Sequence, residues 1–269
     1  MMKKKSVASK IYMGLIFLFM YAPIFLLMVF SFNDSKSRSV WNGFTLKWYK
    51  MLFQDGEIMS ALKTTFMVSI CAAIIATVLG TAAAIGIFNM KKYPKKLMMT
   101  LNNIPMMNPD VIMGVSLMLM FIFLFRVCHL PFFSLGFGTL LMAHVTFDMP
   151  YVILSVMPKL RQMDQRQVEA ARDLGCTTWQ AFYKVMLPQI MPGVVTGMIL
   201  SFTMSFDDVV VSYFNAGPTS QTLGVLIFAM TKKRISPEIN ALCTLMFMVV
   251  LALLLVINLR ELRAEKGRK

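Results

Sequence analysis

The chain has 269 residues, 57% of them hydrophobic and only 15% charged, with 27 Lys and Arg against 13 Asp and Glu. A mean hydropathy of +0.66 and long apolar blocks exclude a soluble globular domain, since about 20 apolar residues in a helix cross a hydrocarbon layer of ~30 Å. The formal charge of +14 would suggest nucleic acid as a partner in a soluble chain. Here it fits basic loops that hold helix ends at anionic lipid.

Lipid offers backbone amides no hydrogen-bond partner, so spanning segments are helices or closed barrels. The run from Cys71 to Phe88, CAAIIATVLGTAAAIGIF, lacks the alternation of a barrel strand. The expected class is an all-α membrane protein of six spans, forming a single domain over 1–269. The first span, Ile11 to Phe32, follows MMKKK. It is too long for a signal peptide and lacks a small-residue cleavage site, which predicts an uncleaved helix. The loop after it contains FTLKWYKMLF, an aromatic and basic stretch suited to the lipid interface.

The second span, Thr64 to Phe88, carries Ala76, Gly80 and Ala84 on one face, where small residues let backbones approach closely. The third, Met98 to Phe125, contains Pro105, Pro109 and Asp110. The fourth, Gly136 to Met157, contains Asp148 just before Met149 and Pro150. The fifth, Ile190 to Val211, carries Asp207 and Asp208 near its end. The sixth, Ala241 to Leu259, is introduced by Ser236, Pro237 and Glu238, a capping residue followed by proline in the first turn. No internal repeat or low-complexity segment is evident. Cys71, Cys128, Cys176 and Cys243 form no CxxC pair, and His129 and His144 are isolated, so neither a disulfide framework nor a metal site is expected.

With the N-terminus on the cytoplasmic side, the inner segments carry 18 basic residues and the outer segments 9, which places both termini inside. The outer cluster Lys232, Lys233 and Arg234 runs against this trend.

The long inner loop, Pro158 to Pro188, is too polar to span and too patterned to be a linker. Asp164 and Gln167 suit the start of a short helix, which Gly175 can end in a left-handed conformation. Thr177 and Gln180 can start a second, expected to stop near Leu187 because the residue before proline resists the α conformation. Trp179, Phe182 and Tyr183 then share one face. An interfacial loop resting its aromatics among headgroups would look the same.

Four acids interrupt the apolar spans: Asp110, Asp148, Asp207 and Asp208. An aspartate at mid-membrane costs roughly 2.5–3.5 kcal/mol on insertion scales, so each needs a partner or a wet cavity. No Lys or Arg lies in the cores of these spans, and unpartnered acids point to a pathway for cations. Asp110 could instead cap a broken helix, and Asp148 could serve a backbone loosened by Pro150. The adjacent pair Asp207 and Asp208 is harder to explain as caps.

The segment Glu169-Ala170-Ala171, three residues, Gly175, nine residues, then Val185-Met186-Leu187-Pro188 resembles the EAA signature of ABC-importer permeases, with valine for the usual isoleucine. The resemblance implies a type I importer permease fold whose loop forms coupling helices that dock into a cytoplasmic ATPase. It implies coupling positions at Glu169, Ala170, Ala171, Gly175, Leu187 and Pro188 of the signature and at their neighbours Asp173, Trp179 and Phe182. YAPIFLLMVFSFN, GFTLKWY, NPDVIMGVSL, AHVTF, LSFTMSFDDVVVSYFNAGP and SPEINAL further resemble permeases of spermidine/putrescine importers, over nearly the whole chain. Membership would imply a heterodimer with a sister permease, two copies of the ATPase, an external polyamine-binding protein and a bacterial inner-membrane location. A polycationic substrate agrees with the unpartnered acids.

No G-x-x-x-x-G-K-[ST] loop occurs, so no cofactor is expected in this chain, and ATP with Mg would bind on the partner ATPase. An oxyanion importer is disfavoured by the four acids; a permease for another small cation or metal remains an alternative. A secondary transporter would use buried acids as relays but leaves the patterned loop unexplained. No Ser/His, paired-acid or HExxH arrangement suggests an intramembrane enzyme.

Overall fold

The computed structural model of the chain describes residues 7–35, 40–130, 133–233 and 237–266, with side chains over 11–35, 40–130, 133–232 and 238–252. The MMKKK start, Arg234 of the outer basic cluster, the Ser236 cap and the last basic residues of the tail lie outside the described residues. The described residues are helical apart from their loops, with one isolated bridge between Asn33 and Phe44. Two compact units divide the chain: 1–59 with 229–269, and 60–228.

In the first unit, α1 (Val7–Ser31) and α2 (Lys47–Gln54) pack with α12 (Pro237–Lys266). The described parts of the segment between α1 and α2 are tied together by one side chain. Asn33 donates from Nδ2 to the Val40 carbonyl and accepts from the Asn42 amide, and its own carbonyl accepts from the Trp48 indole. Trp48 and Leu52, one turn apart on α2, are buried, whereas Lys47, Lys50 and Phe53 are exposed. The aromatic–basic stretch is therefore an amphipathic helix whose tryptophan faces inward.

The second unit holds most of α3 (Gly56–Phe88), α4 (Lys92–Met107), α5 (Asp110–Arg126), α6 (Phe137–Gln162), α7 (Gln165–Asp173), α8 (Thr178–Ala181), α9 (Leu187–Phe206), α10 (Val210–Asn215) and the start of α11 (Leu223–Lys233). Its centre is α6, which α3 and α9 approach closely. A Cβ on Gly80 of α3 would lie 2.8 Å from Val152 Cβ. On α9, one at Gly193 would lie 2.8 Å from the Ser155 carbonyl, and one at Gly197 would lie 3.2 Å from Val152 Cα. Ala76, Ala84, Val152, Val156, Leu160 and Ile190 fill this contact completely. Lipid tails are as apolar as these side chains, so close packing rather than water exclusion holds such helices together. The small-residue face expected on the second span is thus the one that meets α6.

Among the described residues, four helices are long and apolar enough to cross a membrane: Ile11–Ser31, Gly56–Phe88, Phe137–Gln162 and the continuous Thr178–Phe206. The pair α4 and α5 makes a fifth if counted as one bent span. The expected sixth lies within α12, whose fully described stretch Glu238–Ala252 is apolar but shorter. Three expectations need correction. The third span is not one helix: α4 and α5 meet at 104°, because Asn108 before Pro109 is driven to an extended conformation (ψ 143°). The fifth span ends at Phe206 rather than Val211, and a break at 207–209 separates it from α10. The second short helix does not stop at Leu187. It passes through a π-helical turn, Phe182–Met186, in which the Leu187 amide donates to Phe182 five residues back. The wider turn lets Pro188 enter α9 without its ring striking the preceding carbonyl.

Candidate functional site

The patterned loop is built from local hydrogen bonds. Asp164 Oδ1 accepts from the Arg166 amide at 3.1 Å and starts α7. Gly175, at φ +88°, ends it. The Gly175 amide donates to Arg172 at 2.9 Å and the Cys176 amide to Ala171 at 3.1 Å, the paired bonds of a Schellman turn. Thr177 and Gln180 then cap each other, amide to side chain in both directions, and open α8. Gln167 does not complete the expected box. Its Oε1 instead accepts from Gln189 Nε2 at 2.8 Å, tying α7 to α9.

This arrangement turns side chains outward. Glu169, Ala170, Asp173, Gly175, Trp179, Tyr183 and Pro188 are exposed, while Ala171, Phe182 and Leu187 are half-buried. Trp179 stacks at a tilt on Phe182, 5.3 Å between ring centres, and remains 73% exposed. Leu174, which sequence reasoning passed over, is 88% exposed; its place next to the turn glycine was the available signal. A cleft of about 410 Å³ is lined by Glu169, Arg172, Asp173, Cys176, Thr177 and Thr178. An apolar ridge beside a polar cleft has the character of a protein-docking surface.

The four acids fall into different environments. Asp110 is exposed as the first residue of α5; it caps nothing by hydrogen bond but sits favourably at the positive end of the helix. Asp207 is exposed at the end of α9. Asp208 is a cap after all. Its Oδ1 accepts from the Val211 amide at 3.2 Å and its Oδ2 from the Ser212 amide at 2.7 Å. The helix break, invisible in the apolar pattern, leaves α10 amides in need of an acceptor. Asp148 is fully buried, and neither carboxylate oxygen has a hydrogen-bond partner, nor does the buried hydroxyl of Ser201. It does not serve the backbone near Pro150, since α6 continues through that proline unbroken.

Both helix breaks come together. Gly114, one turn into α5, lies against α10: a Cβ there would meet the Phe214 ring at 2.9 Å and the Val211 backbone at 3.4 Å. Asn215 Nδ2 donates to the Gly114 carbonyl at 3.1 Å and to Val211 at 2.9 Å. The exposed acids beside the breaks, Asp110 and Asp207, therefore belong to one neighbourhood of the unit. Broken helices with polar ends are how membrane transporters place ion-binding groups at depth.

Sequence reasoning missed His144. The ring is 1% exposed, with Nδ1 2.6 Å from Ser205 Oγ, Nε2 3.0 Å from Ser212 Oγ, and Nε2 3.7 Å from Asp208 Oδ2. The four-residue spacings of His144 with Asp148 and of Ser201 with Ser205 were legible signals of facing polar stripes on α6 and α9. Among the described residues no group of three or more His, Cys, Asp or Glu could hold a metal.

Close-packed apolar helices of spanning length, broken at polar residues, are features of a helical membrane transporter. The chain belongs to the family of binding-protein-dependent transport system inner membrane components, whose pattern matches residues 76–260. It is 36% identical over 257 residues to the spermidine/putrescine transport system permease protein PotC of Escherichia coli strain K12, covering 96% of this chain and 94% of that protein. It is 38% identical over 256 residues to the putrescine transport system permease protein PotI of the same strain, covering 94% and 90%. In fold it is similar to a bacterial ABC transporter involved in the import of alginate, with TM-score 0.70 at 13% identity over 94% of each chain.

Proposed function

We propose that this chain is the transmembrane permease subunit of an ATP-driven polyamine importer, forming half of the translocation pathway. The observation that carries this is its homology, across nearly its whole length, to PotC and PotI, permeases of spermidine/putrescine and putrescine systems. The single permease domain then crosses a bacterial inner membrane six times with both termini cytoplasmic, in keeping with 18 inner against 9 outer basic residues. Its partners are a sister permease, two copies of a cytoplasmic ATPase that binds ATP and Mg, and an external polyamine-binding protein.

The ATPase and the substrate each have a region suited to them. The exposed ridge of Leu174, Trp179 and Tyr183, beside Glu169, Ala170 and Asp173, is the part that meets the ATPase. Because α8 runs through the π turn into α9 without a joint, a push on the ridge reaches the α9–α10 break as a rigid-body motion. The substrate path follows the acids. Asp110 and Asp207 offer exposed carboxylates at helix ends, with Asp208 and Asp148 behind them. In a low-dielectric vestibule a carboxylate attracts an ammonium group more strongly than in water, through a charge-assisted hydrogen bond.

The test is uptake by the complete importer reconstituted in proteoliposomes. Asp207→Asn keeps size and hydrogen bonding while removing charge, and is expected to raise the KM for spermidine or putrescine by about tenfold with assembly intact. Wild-type KM in Asp207→Asn, Asp110→Asn and their double variant would reject the cation path. ATP-dependent uptake blocked by another solute class and not by polyamines would reject the substrate.

A further inference from the structure

Serine and threonine in apolar helices usually satisfy their hydroxyls on the carbonyl four residues back. This chain does so repeatedly: Ser155 donates to Tyr151, Thr196 to Pro192 and Thr203 to Ile199. Ser205 and Ser212 are different. One sits in the last turn of α9 and the other in the first turn of α10, and both are engaged by the ring of His144 from a third helix, α6. Ser205 could bond back to the Ser201 carbonyl four residues up α9, whereas Ser212, the third residue of α10, has no carbonyl of its own helix four residues back. What the ring adds is a link across the break. The Asp208 carboxylate, 3.7 Å from Nε2, favours the tautomer with the proton on Nε2, so that Nε2 donates toward Ser212 and Nδ1 accepts from Ser205.

We infer that His144 is a positioning residue for polyamine recognition: by bridging Ser205 and Ser212 it fixes the α9–α10 break and thereby the direction in which Asp207 presents its carboxylate. The inference rests on the cation-path reading of Asp207 given above. Three elements converge on the break. Asp208 holds the first amides of α10, a Cβ on Gly224 of α11 would lie 3.1 Å from the Asp208 carbonyl, and the imidazole spans both helix ends. Of these only the imidazole joins α9 to α10 through side chains. A break of this kind has few backbone hydrogen bonds of its own, so its geometry follows whatever crosses it. With the ring gone, Ser205 is free to turn back onto α9, Ser212 loses its link to α9, and Asp207 samples more directions. Affinity for a substrate with fixed charge spacing then falls, while the path and the ATPase surface remain.

The experiment uses the complete importer. His144→Leu removes both ring contacts; His144→Gln keeps one donor and one acceptor at similar separation. Ser205→Ala/Ser212→Ala keeps the ring and removes both partners, and also serves if His144→Leu does not assemble. Expected for His144→Leu and for the double serine variant is a KM raised about tenfold, with Vmax within about twofold of wild type. The Val211 and Ser212 amides should exchange hydrogen faster in both. His144→Gln should return KM to within about threefold of wild type. In an Asp207→Asn background, His144→Leu should raise KM no further, since its route is already cut. A normal KM in His144→Leu or in the double serine variant, alongside a raised KM in Asp207→Asn, overturns the inference and leaves the cation path standing. A lowered Vmax with unchanged KM overturns it in favour of a packing role, as does a glutamine variant no better than leucine. A normal KM in Asp207→Asn overturns both the cation path and this inference.

Discussion

The two polar regions of the second unit meet their hydrogen-bonding needs in opposite ways. Between Asp164 and Gln180, every cap is made by a residue two to five positions away, and the side chains point outward. Between His144 and Asn215, the groups are buried and the bonds join residues 61, 68 and 101 positions apart. The first region is a surface shaped by hydrogen bonds between near neighbours along the chain. The second is a lattice of contacts among four helices, α5, α6, α9 and α10, whose geometry exists only when all are in place. On the proposed reading, the first serves as a fixed handle for the ATPase and the second as a polar interior that rearranges as helices move.

The sharpest way to break this contrast is to force α6 and α9 apart. In Gly193→Val, the added atoms meet the Ser155 carbonyl and the Lys159 side chain, and overpacking of that kind costs about 3 kcal/mol. The variant should be recovered poorly or aggregate on size-exclusion chromatography. Gly86→Ala, with nothing within 4 Å of the new methyl, should behave as wild type in the same assay. Equal recovery of Gly193→Val would mean that the two helices are not held at this distance.

A smaller effect is expected where one long-range cap is lost. The Leu223 amide at the start of α11 donates to Thr65 Oγ1 of α3, 158 residues away, at 2.8 Å. Thr65→Val leaves that buried donor unpaired and should cost about 2 kcal/mol, seen as a lower midpoint of thermal unfolding in detergent. An unchanged midpoint would show that α11 does not depend on this bond.

In the outward-facing region, Gly175→Val tests conformation more than packing, because nothing lies within 4 Å of a Cβ placed there while φ is +88°. The strain of a β-branched residue there is about 1–2 kcal/mol, confined to the turn. Unfolding should barely change, yet substrate-stimulated ATPase activity of the assembled complex should fall; full stimulation would separate the turn from coupling. Smallest is Thr177→Ala, which removes one side of an exposed capping box for about 1 kcal/mol. Faster hydrogen exchange at the Gln180 amide, without a shift in global unfolding, is the expected result. A global shift would mean that the short helices support the bundle rather than decorate it.

The sequence alone determined what depends on neighbours along the chain. Apolar length set the helical membrane class, because about 20 residues in lipid can satisfy their amides only as a helix or a barrel strand. The turn at Gly175, the box at Thr177 and Gln180, and the Ala76, Gly80 and Ala84 face were readable for the same reason: each is fixed by spacings of a few residues. Tertiary structure decided the rest. Hydropathy counts apolar residues without locating the hydrogen bonds between them, so it ran span five through Asp207 and Asp208 and span three through Pro109. Only the fold revealed that Asp208 caps α10, that Asp148 is buried without a partner, and that the π turn carries α8 into α9 past Pro188. His144 was read as an isolated histidine because its partners, Ser205 and Ser212, are 61 and 68 residues away. A polar group in an apolar helix acquires its role from what faces it across the contact, and one-dimensional periodicity carries the face but not the partner.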